Sequence, residues 1–143
     1  NAKNKPIATT LLVQKEVAER LAARPGEMSI MAISAQIFAE VSLGDIVPAD
    51  FFTPPPKVDS RVVTLKTRQQ PLVDEARQKM FFRLVKAGFS AKRKKLRSSL
   101  SGGLGITKGE VENLLNTTSI DPNLRAEDLS LDQWINIFNC YEQ

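Results

Sequence analysis

The sequence predicts an α/β unit followed by a small all-α unit, and three observations carry that prediction. A β-branched, apolar run, IATTLLV, begins at Ile7 and ends at Val13 without polar alternation, which reads as a strand covered on both faces. Gln69-Gln70-Pro71 marks a change of pattern from strand and loop to helix. Beyond it, apolar residues recur at helical spacing in four successive segments.

Asn1-Ala2 reads as the remnant of a cleaved tag and is set aside. After the first strand, residues 14–23 predict a helix. Val13, Val17 and Leu21 share one stripe, Glu16 and Arg20 form an i,i+4 pair, and Pro25-Gly26 ends the segment. Residues 29–39 (SIMAISAQIFA) fit helix or strand; their Ala, Met and Gln content, with Ser29 as N-cap, favours a buried helix. Residues 40–47 and 61–66 read as two further strands. Between them lies PADFFTPPPKVDS, residues 48–60, with three successive prolines that fix φ and exclude regular structure. A stiff extended loop is expected there, able to hold aromatic side chains at low entropic cost.

In the second half, residues 74–88 predict a helix with Phe81, Leu84, Val85 and Gly88 on its inner face. Residues 90–100 predict a second helix, with Phe89, Leu96 and Leu100 facing one way and Lys94, Lys95 and Arg97 outward, stopped by Ser101-Gly102-Gly103. Thr107 with Glu110, and Ser130 with Gln133, form capping boxes ahead of the apolar residues of two more helices. The expected organisation is residues 3–70 as strand-helix-helix-strand-loop-strand and residues 71–143 as four short helices.

The 143 residues suit one domain or two small ones, with 20 Lys and Arg against 16 Asp and Glu. There is no His and a single Cys, Cys140. Ser-His-Asp and Cys-His catalysis, His-ligated metal sites, internal disulfides and four-thiolate zinc sites are thereby excluded. No apolar run approaches the ~20 residues of a membrane span, and no signal peptide is recognisable. A reduced, cytoplasmic protein with no membrane partner is expected. The charge is unevenly placed: ten basic residues and no acidic one fall between Arg77 and Lys108, whereas from Gly109 onward one Arg faces seven acids. Such a block points to a polyanionic partner, although a solvated helix face balanced by an acidic neighbour gives the same pattern.

Three constellations could carry chemistry. Lys92, Arg93, Lys94, Lys95 and Arg97 place five cations in six positions; they suit phosphates, or else form an exposed face whose stems cover apolar surface. Phe51 and Phe52 lead the proline loop, and an aromatic held there can stack on an unpaired base at about 1–3 kcal/mol per base. Core packing is the alternative for both rings; one in the core and the other open is expected. Gln14-Lys15-Glu16 reads as a salt-bridged helix start rather than a catalytic group. Gly102, Gly103 and Gly105 follow a helix rather than a strand, so they form no phosphate loop. The residues alone describe a basic binding protein without a visible active site.

Four stretches taken together, LVQKEVAERL from Leu12, FTPPPKVDS from Phe52, FSAKRKKLRSSL from Phe89 and IDPNLRAEDLS from Ile120, resemble the rRNA adenine dimethyltransferases. The match is closest to their bacterial small-subunit branch and runs from about Thr9 to Trp134. The resemblance implies the C-terminal portion of a Rossmann-like methyltransferase domain followed by a small four-helix domain. It implies a parent enzyme that dimethylates two adjacent adenines near the 3′ end of 16S rRNA with S-adenosylmethionine, during small-subunit biogenesis. The family's Gly-rich cofactor loop and Asn-Leu-Pro-Tyr motif precede the strand that matches Ile7 to Val13. A C-terminal fragment is therefore expected, with no catalytic, cofactor-binding or metal-binding residue, inactive alone and without affinity for the cofactor.

By the same resemblance Phe52 stacks on the substrate base, while Lys57, Lys92, Arg93, Lys94, Lys95 and Arg97 bind RNA. Arg125, with Glu127, is expected to tie the last two helices together. The implied partners are small-subunit rRNA and the pre-30S particle. A homodimer through the strand from Ile7 to Val13 is also expected, because its parallel neighbours would come from the preceding part of the fold. The alternatives are a non-enzymatic nucleic-acid-binding protein, or the large-subunit rRNA adenine methyltransferases of the resistance type.

Overall fold

A computed structural model describes residues 7–142; Asn1-Ala2 lie outside the described residues. The chain forms two compact units, Asn1–Ala23 with Met31–Leu72, and Arg24–Ile30 with Val73–Gln143.

The first unit holds β1 (Ala8–Gln14), α1 (Lys15–Leu21), α2 (Ile30–Gln36), β2 (Ala39–Val47) and β3 (Ser60–Thr67). Its sheet has the order β1-β3-β2, with β3 antiparallel to both neighbours. Leu11 opposes Val63 on one side and Leu43 opposes Val63 on the other. A bulge between Leu43 and Ile46 shifts the second register, and the Gly44 carbonyl there accepts from Arg61 Nε at 3.1 Å. α1 packs against all three strands. Ala18, Ile33, Ile37 and Val63 are fully buried, a core of small and branched side chains.

Two expectations change here. β1 is not covered on both faces: Leu11 is 40% and Leu12 49% exposed. Among the described residues β1 pairs only with β3, so its apolar side chains have sheet and helix on one side alone. α2 is shorter than residues 29–39, because the chain turns after Gln36 and enters the sheet at Ala39. Gln36 Nε2 donates to the carbonyls of Leu21 and Ala23 at 3.0 and 3.1 Å, and Arg68 N donates to Phe38 O at 2.9 Å.

The second unit holds α3 (Glu75–Phe89), α4 (Leu96–Leu104), α5 (Lys108–Thr117) and α6 (Leu131–Tyr141), with a 3-10 turn at Ala126–Asp128. Trp134 is fully buried and its ring stacks on Phe89 with centroids 5.8 Å apart, while Phe81 and Phe138 meet edge to face at 5.4 Å. Both capping boxes form: Thr107 Oγ1 accepts from Glu110 N, and Ser130 Oγ from Gln133 N, each at 3.1 Å. Arg77 ties α3 to α6, since its guanidinium lies 2.8 Å from Glu142 and 4.7 Å from the Phe138 ring centre. Arg24–Ile30 joins this unit through the Glu127 carbonyl, which accepts from Gly26 N and Met28 N at 2.9 and 3.1 Å.

The second helix of this unit does not begin at residue 90 or stop at Gly102. α4 starts at Leu96, runs through Gly102 and Gly103, and is closed by Gly105 at φ +70°. Packing explains the difference. A Cβ on Gly103 would lie 2.6 Å from Ala87 Cβ and 2.9 Å from Ala87 O, so α3 and α4 approach backbone to backbone. Gly88 likewise leaves room for the Trp134 ring. Close packing here outweighs a helix-propensity cost of about 1 kcal/mol per glycine.

The two glycines of α4 therefore respond oppositely to the same substitution. Gly103→Ala lowers stability by about 1–3 kcal/mol through overpacking. Gly102→Ala, with nothing within 4 Å of the added methyl, raises it by up to about 1 kcal/mol. Urea unfolding midpoints of the two variants check the sign of each change.

Candidate nucleic-acid interface

The densest positive charge sits on the connection between α3 and α4. The sequence places the run on a helix, but Lys92, Arg93 and Lys94 lie in a turn and Lys95 is the N-cap of α4. The turn is built by hydrogen bonds to main-chain carbonyls. Ser90 Oγ donates to Ala87 O at 2.6 Å, Lys94 N donates to Ala91 O at 2.9 Å, and Lys95 O accepts from Ser98 N and Ser99 N. The first amides of α4 would otherwise be unpaired. They are taken by the 120–125 segment: Leu96 N donates to Leu124 O at 2.7 Å and Arg97 N to Pro122 O at 3.2 Å. With those amides occupied, anion attraction at this end comes from side chains rather than from the helix terminus.

The five cations then divide. Lys92, Arg93, Lys94 and Lys95 are exposed, and among the described residues none lies within 4.0 Å of a carboxylate. Lys92 also lines a small cavity of about 50 Å³ with Met28, Phe89, Ala126 and Glu127. Arg97 is engaged, its Nη1 lying 3.1 Å from Glu112 Oε1, which joins α4 to α5. Arg125 does not tie the last two helices. Its guanidinium lies 3.9 Å from Glu127 and its N–H donates to Asp128 Oδ2, both in the adjacent 3-10 turn. A partner two residues away cannot link separate helices.

Phe52 and Lys57 belong to the sheet unit. After Val47 the chain makes a 3-10 turn at Ala49–Phe51 and continues irregularly to Asp59, with a cis Thr53-Pro54 bond. Neither ring enters the core: Phe51 is 76% exposed and Phe52 is half-buried. The core beneath the sheet is already filled by Ala18, Ile33, Ile37 and Val63. Pro54, Pro55, Pro56 and Lys57 are all exposed. Asp59 organises this end of the unit. Its Oδ1 accepts from Ala49 N at 2.9 Å, closing the loop on itself, and its carbonyl accepts from Lys15 N at 3.0 Å.

The result is a cleft of about 530 Å³ at the carboxyl end of β1, lined by Gln14, Lys15, Glu16, Glu19, Lys57, Val58 and Asp59. Lys15 and Glu16 make no ion pair among the described residues; Glu19 instead lies 3.9 Å from Arg61. Lys15 thus lines the same cleft as Lys57, whereas the sequence reading sets Lys15 aside as part of a salt-bridged helix start. The available signal was its position just beyond a strand's carboxyl end, where α/β sheets bind ligands. Two lysines among three carboxylates suit a polar ligand held by hydrogen bonds. The described residues contain no group of three His, Cys, Asp or Glu placed to hold a metal, and no helix long and apolar enough to cross a membrane.

Asp59→Ala leaves the Ala49 amide without its acceptor and costs about 0.5–1.5 kcal/mol. Hydrogen exchange at Ala49 accelerates in this variant, while Asp59→Asn, which keeps an acceptor oxygen, retains most of the protection.

The ribosomal RNA adenine dimethylase family matches residues 3–143. The small-subunit rRNA methyltransferase A of Dehalococcoides mccartyi is 41% identical over 133 residues, 93% of this chain and 46% of the relative. The proteins of that name from Desulfitobacterium hafniense and a Nostoc species are each 44% identical, over 87% and 90% of this chain. The chain spans about half the length of these curated relatives. Among solved structures, a 23S rRNA methyltransferase, ErmE, and a dimethyladenosine transferase from Plasmodium falciparum each superpose with a TM-score of 0.75 over 95% of this chain. They cover 55% and 57% of those chains at 23% and 22% identity, a likeness of fold. The sheet with its helices, the helical unit and the family match over residues 3–143 lead to one conclusion: this chain belongs to the ribosomal RNA adenine dimethylase family.

Proposed function

We propose that this chain is the RNA-docking part of a cytoplasmic 16S rRNA adenine dimethyltransferase. In this reading the sheet unit is the last portion of a Rossmann-like methyltransferase domain, and the helical unit is the RNA-binding domain. The observation that carries it is the α3–α4 turn, where four cations are exposed and free of carboxylates among the described residues. Four such charges in a row repel one another unless water or a polyanion surrounds them. The small-subunit relatives, at 41–44% identity, favour that subunit's rRNA and the pre-30S particle as partner.

Phe52 is assigned to stacking on the substrate adenine and Lys57 to a neighbouring phosphate. Both sit at the cleft end of the sheet unit, where a flipped base has to be held. Arg97, first assigned to RNA, acts through its Glu112 tie as a support for the turn. The residues present do not fit S-adenosylmethionine. β1 passes directly into α1 through Gln14, with no glycine between strand and helix, while Gly102, Gly103 and Gly105 serve α4. Cofactor and catalytic groups are assigned to the part of the relatives that this chain does not span.

The test is binding to small-subunit particles lacking adenine methylation, titrated against salt, with S-adenosylmethionine binding measured in parallel. Replacing Lys92, Arg93, Lys94 and Lys95 by Ala flattens the log–log salt slope by about 3, at roughly 0.7–0.9 per lost phosphate contact. Arg97→Ala changes the slope less and instead lowers stability by about 0.2–1 kcal/mol. An unchanged slope in the turn variant rejects the assignment.

A second proposal concerns the chain on its own. Among the described residues the outer edge of β1 has no strand partner, and with Ile7 79%, Leu11 40% and Leu12 49% exposed it invites pairing with a second copy. Light scattering then returns the mass of two chains, and a Leu12→Lys variant returns the mass of one.

A further inference from the structure

α3 carries a second group of cations that the turn does not include. At 100° per residue, Lys79, Arg83, Lys86 and Ser90 fall within an arc of about 60°. They lie opposite the fully buried Phe81, Leu84 and Val85. All four are exposed, and among the described residues none of the three cations has a carboxylate within 4.0 Å. Arg77, on another face, is spent on Glu142 and Phe138. Glu75 lies one turn before Lys79 on the same face, so the positive stripe begins at Lys79. Its other end, Ser90, leads directly into the turn that carries Lys92, Arg93, Lys94 and Lys95.

From this juxtaposition we infer that the exposed face of α3 is a further RNA-binding surface, and that it takes the phosphate backbone of paired RNA. The inference rests on the RNA-docking reading of the turn and extends it along the helix. The three cations stand on one rigid helix at axial positions of roughly 0, 6 and 10 Å, a fixed row suited to a regular phosphate strand. Single-stranded RNA is gripped largely by stacking on aromatic side chains. Among the described residues the rings of the helical unit are turned inward: Phe81, Phe89, Trp134 and Phe138 are buried, and Phe82 and Tyr141 are half-buried. Exposed charge with no fully exposed ring beside it fits recognition of a duplex by its shape and phosphates. The exposed rings of this chain are in the other unit, at Phe38 and Phe51.

The test compares three forms of the full chain: wild type, the stripe variant (Lys79→Gln, Arg83→Gln and Lys86→Gln) and the turn variant (Lys92, Arg93, Lys94 and Lys95→Ala). Each is titrated with an RNA hairpin of about 16 base pairs and with an unpaired RNA of equal length, and its thermal melting is recorded. The stripe variant melts as wild type and binds the hairpin about 10- to 100-fold more weakly at 0.1 M salt, with a salt slope flatter by about 2. Its affinity for the unpaired RNA changes less than threefold. Hairpin affinity unchanged in the stripe variant but reduced in the turn variant overturns this inference and leaves the docking reading standing. Equal losses on both RNAs overturn the assignment to paired RNA. Failure of the wild type to bind either RNA overturns the docking reading and this inference together.

Discussion

The close approach of α3 and α4, backbone against backbone at Ala87 and Gly103, is the constraint on which the helical unit depends. It lets α4 lie on α3 with the Ala87 methyl against Gly103 and leaves only a short connection between them. Such a connection cannot bury four cations, because an unpaired charge in a low-dielectric interior costs several kcal/mol. The charges of the turn are therefore displayed in solvent as a consequence of how two helices pack. The 120–125 segment completes the arrangement by supplying carbonyls to the first amides of α4.

A division of labour between arginine and lysine runs through the molecule. The ion pairs among the described residues are all made by arginine: Arg61, Arg68, Arg77, Arg97 and Arg125. The lysines of α3 and of the turn are left to solvent. A planar guanidinium can hold one or two acceptors in fixed geometry, whereas an ammonium on a flexible stem is strongly hydrated and keeps its freedom. The structural work of the basic block falls to Arg77 and Arg97, and the charge available to a polyanion falls mainly to lysines. In the sheet unit one acid has a comparable organising role. Asp59 holds the proline loop closed at Ala49 and receives the first amide of α1, so loop and helix share one wall of the cleft.

Much of the fold was legible in the sequence because its signals are local. The strands of the first unit, the helix of Phe81 and Leu84, and both capping boxes each depend on residues within a few positions of one another. What local pattern does not show also has a common cause. Ser101-Gly102-Gly103 reads as a helix stop unless Ala87 is known to lie against Gly103, sixteen residues away in sequence. The apolar run at Ile7 reads as a covered strand, yet β1 lies at the sheet edge. Arg24–Ile30 belongs to the helical unit, bonded there to the Glu127 carbonyl about a hundred residues further on. Arg97 carries the same formal charge as Lys95, and nothing local distinguishes the one that meets Glu112.

By itself, then, the sequence determined which segments are strands or helices, where the charge is concentrated and which family the chain resembles. Those properties reside in short-range pattern, composition and motif. The tertiary structure decided which cations are spent on internal pairs, which remain in solvent, and that Lys15 and Lys57 line one cleft. The physical reason is that availability for binding depends on neighbours brought together by packing. Desolvation and pairing energies are set by those neighbours and not by the residue types alone.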